Sequence, residues 1–304
     1  MDSYASLVKV LDLVEHLVES KKSEILTVQE LAGEAYLSES HLLRLFKLTT
    51  GQSLMDYVRG RKLAHSLKEV FDSSFNIADI AMDCGFSHEQ SYIRAFRKEY
   101  NCTPGKARKE KMILPIRKRI AEQDLTMIEN GVLYGPEIVV IPSFHFIGKP
   151  HEFRPFSEKE HGWKPNQLAL RFYLEAVMQF SNAIDPMVYY SVTSNLSGGV
   201  EVGIEYMPCM QVKDLSHIPK GYTGRTFPTM QCALFRYVGL HPVWELSMVT
   251  ANEIYKAKLD FFEKQTRYIE HERIRHFERV DTRIHKGGYC QLELMPPVID
   301  TLQT

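Results

Sequence analysis

The chain has 304 residues, of which 44% are hydrophobic and 25% charged, an ordinary globular composition for a protein of about two domains. No run reaches the ~18 apolar residues of a membrane span, and the N-terminus lacks the basic and apolar regions of a signal peptide. The five cysteines form neither a C-x-x-C pair nor a dense framework. We therefore expect reduced thiols, no structural zinc, no membrane contact and a cytoplasmic location.

The net charge of −1 conceals two unlike parts. Residues 1–120 carry 19 Lys and Arg against 16 Asp and Glu, a net of +3, and residues 121–304 carry 18 against 22, a net of −4. Between Arg94 and Arg119, ten basic residues stand against two acidic ones. A local basic region of this kind is compatible with nucleic-acid binding although the total charge is near zero.

The first hundred residues contain an internal repeat. T-V-Q-E-L-A at 27–32 matches N-I-A-D-I-A at 76–81, and L-L-R-L-F-K at 42–47 matches Y-I-R-A-F-R at 92–97. Each copy predicts a short helix, a turn of about four residues and a longer helix. The predicted N-terminal caps are Thr27, Ser38, Asn76 and Ser87, and the predicted helix ends are Gly51 and Asn101. This is the arrangement of a helix-turn-helix, although two generic helical hairpins would give a similar pattern.

Two further helices frame the repeat. Leu54 to Phe71 has apolar residues at helical spacing and would form a rod of about 27 Å at ~1.5 Å per residue. A spacer of this size suits two reading helices in successive major grooves of B-DNA, about 34 Å apart. Met1 to Ser20 predicts an opening helix that packs against the first copy.

The stretch G-F-S-H-E-Q-S-Y-I-R-A-F-R-K-E-Y-N-C-T-P-G-K-A-R at 85–108 resembles the signature of AraC/XylS-type transcription regulators. The resemblance covers about residues 4–108. It implies two helix-turn-helix units on a central helix, double-stranded DNA as a partner and RNA polymerase as a second partner. The residues implied in DNA contact are Ser40, His41, Leu43, Arg44 and Lys47 in the first reading helix and Glu89, Gln90, Ser91, Arg94 and Arg97 in the second.

The chemistry of these side chains supports some of the implied contacts and leaves others open. A guanidinium fork at Arg44 or Arg94 can grip guanine or a phosphate. Leu43 departs from the polar residue often found at its position, so either it touches a thymine methyl or the first helix is the weaker reader. Lys47 and Arg97 are alternatively solvated charges. The basic run from Lys106 to Arg119 is either a DNA backbone contact or a solvated linker.

From Glu137 the pattern changes to strands and helices. The predicted elements are a strand over 137–148 interrupted by a proline, a helix over 167–182, a hairpin of 187–195 and 199–207, a strand over 227–238, a helix over 246–265, and strands over 276–284 and 289–298. The order strand-helix-strand-strand thus occurs twice.

The predicted fold class is two domains. An all-α tandem helix-turn-helix domain over 1–108 and a linker over 109–135 precede an α+β domain of two strand-helix-strand-strand units over 136–304. We expect one antiparallel sheet, with helices on one face and the other face available as a groove.

P-S-F-H-F-I-G at 142–148 and H-F-E-R-V-D at 276–281 resemble a GyrI-like effector-binding domain of the Rob/BmrR type. In that family a carboxylate in an aromatic groove binds lipophilic cations, and Glu278 is the matching position. A carboxylate in apolar surroundings is costly to ionise alone, and a cation restores the balance. Strand alternation places Glu278 with Val280 and Ile284, on a face that alternation alone does not identify. The candidate aromatic walls are Phe146, Trp163, Tyr189, Tyr206, Phe227 and Trp244.

Together these features predict a sequence-specific DNA-binding transcription regulator whose C-terminal domain binds a small lipophilic or cationic effector. No enzyme, catalytic residue, metal site or cofactor is expected, since the sequence has no H-E-x-x-H, G-x-S-x-G or phosphate loop. One alternative is a GyrI-like hydrolase of small electrophilic compounds fused to the DNA-binding domain. Another is a protein-interaction domain in which Glu278 has no role.

Overall fold

A computed structural model describes residues 3–20, 27–72, 74–153, 165–176, 179–197, 202–285 and 288–302. The chain divides into two compact units, Met1–Asp124 and Leu125–Thr304. The division falls within the predicted linker, but residues 125–135 are not a linker, because they form one strand and begin a second. No helix in the described ranges is long and apolar enough to cross a membrane.

The first unit is helical in its regular structure. Its described α-helices are α1 (Ser3–Glu19), α2 (Val28–Glu34), α3 (Glu39–Thr50), α4 (Leu54–Phe71), α5 (Ile77–Asp83), α6 (Glu89–Tyr100) and α7 (Pro104–Glu110). The pairs α2–α3 and α5–α6 are the two predicted helix-turn-helix copies. The helix α4 spans the predicted range 54–71 and separates them. The tandem helix-turn-helix prediction is confirmed.

The two copies begin their helices differently. Thr27 accepts a hydrogen bond from the Glu30 amide and Glu30 accepts one from the Thr27 amide, which completes a capping box. The capping side chains confirmed by hydrogen bonds are Thr27, Ser38 and Asn76. The predicted cap Ser87 is wrong, because α6 is preceded by His88, whose side chain makes no capping hydrogen bond.

Small and aromatic side chains close the core of each copy. Ala32 in α2 and Ala81 in α5 are buried. Phe46 and Phe96 are fully buried. The helices α3 and α6 end at Gly51 and Asn101, which adopt left-handed conformations with φ of 77° and 56°. These endings are the ones that the sequence predicts.

The second unit combines one sheet with helices. Its described strands are β1 (Leu125–Ile128), β2 (Gly131–Ile141), β3 (Phe144–Gly148), β4 (His151–Phe153), β5 (Val188–Asn195), β6 (Ile204–Val212), β7 (Thr223–Phe227), β8 (Met230–Gly239), β9 (Tyr268–Glu270), β10 (Ile274–Asp281), β11 (Cys290–Met295) and β12 (Pro297–Asp300). Its described α-helices are α8 (Pro165–Ala176), α9 (Met248–Lys264) and α10 (Thr282–His285). The main sheet order is β1-β2-β8-β11-β10-β5-β6-β3-β7, and the described strand pairs are antiparallel.

The predicted repeat of strand, helix, strand and strand is confirmed. The segments β3-α8-β5-β6 and β8-α9-β10-β11 each contribute three neighbouring strands, and the two sets meet at the antiparallel pair β5–β10. Tyr173 of α8 and Ile254 of α9 share one core with Tyr189, Val280 and Leu292 of the sheet. Both long helices therefore cover the same face of the sheet, which we call the helix face.

Several strand boundaries differ from the prediction, because prolines and a short helix interrupt the sheet. Pro142 lies between β2 and β3, and Pro296 lies between β11 and β12, where a missing N–H weakens strand pairing. The predicted strand over 276–284 ends at Asp281, and α10 follows. Ile284 is therefore outside the alternation that it was predicted to share with Glu278.

Candidate functional site

The reading helices α3 and α6 each bury one face and expose the other. Leu42, Leu45 and Phe46 fill the inner face of α3, and Tyr92 and Phe96 fill that of α6. Of the predicted contact residues, eight are exposed and two are half-buried. The exposed ones are Ser40, Leu43, Arg44, Lys47, Glu89, Gln90, Arg94 and Arg97, and the half-buried ones are His41 and Ser91. The structure thus brings the predicted contacts of each helix onto its outward surface.

The two outward faces differ in chemistry. Leu43 leaves 36% of its surface exposed between polar neighbours on α3. In α6 the Arg94 Nε donates to the Gln90 carbonyl at 3.3 Å, which lays the guanidinium along its own helix. Burial lowers the pKa of His41, which favours the neutral imidazole.

The basic run that follows α6 is partly structural. Arg108 Nε donates to the Val70 carbonyl at 2.6 Å, and Arg119 donates to Asp12 at 3.0 Å. Arg117 forms a two-bond ion pair with Glu99. Arg108 and Arg117 therefore bind the protein itself, whereas the pair of Arg119 and Asp12 is exposed to solvent.

A cavity of about 250 Å³ lies between α9 and the helix face of the sheet. Its walls combine apolar, aromatic and ionisable side chains. They include Met248 and Tyr255 from α9 and Tyr206, His276, Glu278 and Leu292 from the strands. The prediction left open which face Glu278 occupies. The structure places it on the helix face, beside Val280, as the alternation of β10 requires.

Glu278 is a largely buried carboxylate whose nearest donor is a hydroxyl. Its cross-strand neighbour on β5 is Ser191, and the Ser191 hydroxyl donates a hydrogen bond to it. The side chain of Glu278 is 20% exposed. Burial raises the pKa of Glu278, and the hydrogen bond from Ser191 partly offsets that rise. The carboxyl group is thus held in an environment that penalises its charge.

His276 does not supply the missing positive charge. Its Nε2 lies 3.9 Å from the Glu278 carboxylate, and its Nδ1 shares a hydrogen bond of 2.9 Å with the Tyr255 hydroxyl. Burial, with smaller contributions from the charges of Lys258 and Arg275, holds the pKa of His276 well below its usual value. The imidazole is therefore neutral near pH 7.

Other strand carboxylates in this unit have arginine partners. Glu205 accepts from Arg225 at 2.8 Å, and Glu293 accepts from Arg279 at 2.9 Å. In the parts of the chain that the structure describes, no lysine or arginine forms an ion pair with Glu278. This difference separates Glu278 from the carboxylates whose charge is already balanced.

The six predicted aromatic walls are not brought into one groove. Tyr206 lines the cavity, and Tyr189 lines a small space beside it that also touches Glu278. Phe146 and Phe227 instead pack with Phe277, on the opposite face of the sheet. Successive residues of β10 face opposite sides, which explains why the neighbours Phe277 and Glu278 belong to different sites.

The remaining predicted walls are the two tryptophans. Trp244 lies in a short 3-10 helix, Val243–Glu245, and is 55% exposed. Trp163 lies outside the described residues.

The face opposite the helices holds a second space of about 200 Å³, which Phe144, Phe146 and Phe277 line.

Sequence reasoning missed His276, Tyr255 and Ser191. Alternation could have found His276, which stands two residues before Glu278 on the same strand. Ser191 could not be predicted, because its pairing with Glu278, 87 residues away in the sequence, depends on the register of two strands. Among the described residues, no three His, Cys, Asp or Glu side chains are grouped so as to hold a metal.

Comparisons with known proteins support the helix-turn-helix fold of the first unit. A family model described as a helix-turn-helix domain matches residues 31–110. The probable transcription factor PqrA of Proteus vulgaris is 35% identical over 88 residues, which are 29% of this chain and 72% of PqrA. The chain belongs to the AraC-type family of DNA-binding transcription regulators. The Salmonella typhimurium transcriptional regulator Rob is 33% identical to this AraC-type chain over 87 residues, which are 29% of the chain and 30% of Rob.

One solved structure is similar over a larger share of this AraC-type regulator. It is an integron cassette protein from Vibrio cholerae, which covers 55% of this chain and 99% of its own at 14% identity and a TM-score of 0.39. The GyrI-like resemblance of the second unit lies in its sequence motifs and in its two strand-helix-strand-strand segments.

Proposed function

We propose that this AraC-type regulator responds to a small lipophilic cation that binds in the cavity at Glu278. The observation that carries the proposal is a largely buried carboxylate with no lysine or arginine partner among the described residues. Ionising such a group without a counter-charge is costly. A cationic ligand removes that cost, so the site should bind positively charged ligands more tightly than neutral ones.

The cavity walls supply the rest of the recognition. Met248 and Leu292 offer apolar contact, and the rings of Tyr206 and Tyr255 can contact a cation through their faces. Arg275 also lines the cavity, with its guanidinium 5.6 Å from the centre of the Tyr255 ring. An anionic effector held by Arg275 is therefore the competing outcome that an experiment must distinguish.

The DNA-reading surface in this proposal is the outward face of α3 and α6. Arg44 and Arg94 contact bases or phosphates, and the eight other predicted residues complete the two surfaces. The unit that ends at Asp124 is the DNA-binding part and the unit that begins at Leu125 the effector-binding part of a cytoplasmic protein. Effector binding changes DNA affinity or the recruitment of RNA polymerase.

Three probe molecules of similar shape test the ligand class. They are phenyltrimethylammonium, its neutral isostere tert-butylbenzene and the anion benzenesulfonate, measured with the full chain by calorimetry and thermal shift. We expect binding of the cation only, and a loss of at least tenfold in affinity, or about 1.4 kcal/mol, in Glu278→Gln. Glu205→Gln is the matched control, because Glu205 is a strand carboxylate with an arginine partner.

Two results would contradict this ligand class. Equal binding of the cation and tert-butylbenzene would show that the carboxylate adds no selectivity. Binding of benzenesulfonate alone, lost in Arg275→Met, would assign the cavity to anions. Ligand affinities that are unchanged in Glu278→Gln would instead favour a protein-interaction domain.

Selection from a random duplex library tests the DNA-reading function. The full chain should enrich one sequence family, and its affinity should fall steeply as the salt concentration rises, because phosphate contacts release counterions. A bound pool without sequence preference at moderate salt would contradict the proposed sequence-specific DNA reading.

We propose a binding role for the second unit rather than catalysis. Glu278 has Ser191 and a neutral His276 nearby, so a hydrolytic role has a specific test. The full chain is incubated with styrene oxide, a small electrophile, and diol formation is measured. Turnover that Glu278→Gln abolishes would overturn the binding-only proposal.

A further inference from the structure

The segment after α7 is held along the first unit. We call residues 113–120 the strap, which has no regular secondary structure and precedes β1 by four residues. The Ile120 amide donates to the Tyr57 hydroxyl at 3.1 Å, and Arg61 donates to the Arg117 carbonyl at 2.5 Å. Both contacts tie the strap backbone to α4.

The side chain of Arg117 connects the two helix-turn-helix copies. Its Nε and Nη2 donate to the two carboxylate oxygens of Glu99, on α6, at 2.8 and 3.0 Å. Its Nη1 donates at 2.7 Å to the side-chain oxygen of Gln52, in the turn between α3 and α4. One planar guanidinium therefore binds the end of the second reading helix and the residues that follow the first. Arginine is suited to this because its donors form a rigid fork.

A glycine in α4 makes room for this side chain. A Cβ atom at Gly60 would lie 2.3 Å from Nε and 2.4 Å from Cδ of Arg117. Glycine in a helix interior costs about 1 kcal/mol relative to alanine. The close approach of Arg117 explains why α4 nevertheless has glycine at this position.

We propose that Arg117 is a positioning residue that fixes the relative orientation of the two reading helices by clamping Glu99 and Gln52 against α4. The proposal rests on the proposed function in that α3 and α6 read the same duplex. Successive half-sites must have a fixed spacing, because each base pair rotates the groove by about 34°. A rigid clamp makes the protein sensitive to that spacing, whereas a phosphate contact would not.

Three variants of the full chain distinguish positioning of the reading helices from a phosphate contact by Arg117. Arg117→Met removes the clamp, and Gly60→Ala displaces the Arg117 side chain while its charge remains. Arg119→Met is the matched control, because it removes one positive charge from the same strap at an exposed pair with Asp12. The probe is the duplex recovered by selection, together with duplexes that have one or two base pairs inserted or deleted between the half-sites, measured by fluorescence anisotropy.

We expect the wild type and Arg119→Met to prefer the selected spacing by about tenfold or more, which is ~1.4 kcal/mol. In Arg117→Met and Gly60→Ala this preference should fall to roughly twofold, and the salt dependence of binding should stay that of the wild type. A retained spacing preference with a salt slope reduced by about one in Arg117→Met would assign Arg117 to a phosphate and overturn the clamp.

A second measurement needs no DNA, so it separates failure of the clamp from failure of the DNA-reading proposal. Spin labels at Ser40→Cys and Gln90→Cys report the distance between the reading helices in a Cys84→Ser background, since the other cysteines are buried. The distance distribution should broaden in Arg117→Met and Gly60→Ala and not in Arg119→Met. Unchanged widths, or loss of the helical circular dichroism signal in both clamp variants, would overturn a positioning role.

Discussion

In the first unit Glu15 is 2% exposed and its carboxylate is bound by Arg61 and by the Tyr57 hydroxyl, whereas in the second unit Glu278 has a serine hydroxyl and no cation among the described residues. Both are acidic side chains removed from water. The first completes a salt bridge within the protein, and the second leaves a charge for something else to balance. The partner of a buried charge, more than the burial itself, therefore distinguishes a structural ion pair from a ligand site.

We expect the largest effect on stability at the buried ion pair of Glu15 and Arg61. Glu15→Ala leaves the largely buried Arg61 without its counter-charge, so we expect a loss of about 3–5 kcal/mol in the free energy of unfolding. Hydrogen exchange in α1 and α4 measures it locally. The double variant Glu15→Met with Arg61→Met is the control, and it should recover most of the loss. A single-variant loss below about 1 kcal/mol would remove the contrast with Glu278.

The next effect concerns arginines that face outward. Arg94→Ala should weaken binding of the selected duplex by about 1–3 kcal/mol, or roughly 5- to 150-fold, because Arg94 lies on the exposed face of α6. Lys98→Ala is the control, since Lys98 is close to Asp56 on the same unit, at 3.8 Å. Relaxed preference at one base would indicate base reading. Equal weakening on every sequence, with a smaller salt slope, would indicate a phosphate contact.

The sequence predicts the helical unit well because its signals are local. The repeat, the caps at Thr27, Ser38 and Asn76 and the limits of α4 depend on residues a few positions apart. Ser87 fails as a cap because one residue is inserted in the second copy, so that α6 starts after His88. The order of strands and helices in the second unit is also local, and it too is confirmed.

What the sequence does not predict depends on contacts between distant segments. The face of Glu278 and its pairing with Ser191 need the register of β5 against β10. The separation of Phe146 and Phe227 from Glu278 needs the same information. The ion pair of Arg117 with Glu99 could not be predicted either, because a basic run in a sequence does not show which acidic residue each arginine binds.

A smaller effect is expected in the pH dependence of stability at Glu278. Since the pKa of Glu278 is raised above 4.5 in the folded protein, its contribution to stability is fully present below that value and is lost as pH rises through the folded pKa. Without ligand, Glu278→Gln should therefore melt higher than the wild type at pH 8, by roughly 2–4 °C for each kcal/mol of penalty that the substitution removes. The difference should shrink as pH falls towards 4.5.

Glu278→Gln and the wild type share His276, whose effect on stability has the opposite sign. Its pKa is lowered, so its contribution is present above 6.5 and is lost as pH falls. Comparing the two proteins at each pH cancels most of that change. A melting difference that does not vary between pH 8 and pH 5 would show that Glu278 is not penalised in the native state.

The smallest effect is expected at the exposed pair of Arg119 and Asp12, which leave 45% and 63% of their side chains in contact with solvent. Arg119→Met should change the free energy of unfolding by no more than about 0.5 kcal/mol, because water and salt screen such pairs. Arg119 and Arg117 lie two residues apart on the strap with the same charge, so their two methionine variants, compared by hydrogen exchange in α4 and α6, isolate what the contacts with Glu99 and Gln52 add. Equal destabilisation by both would mean that the positive charge of the strap matters more than the geometry of its contacts.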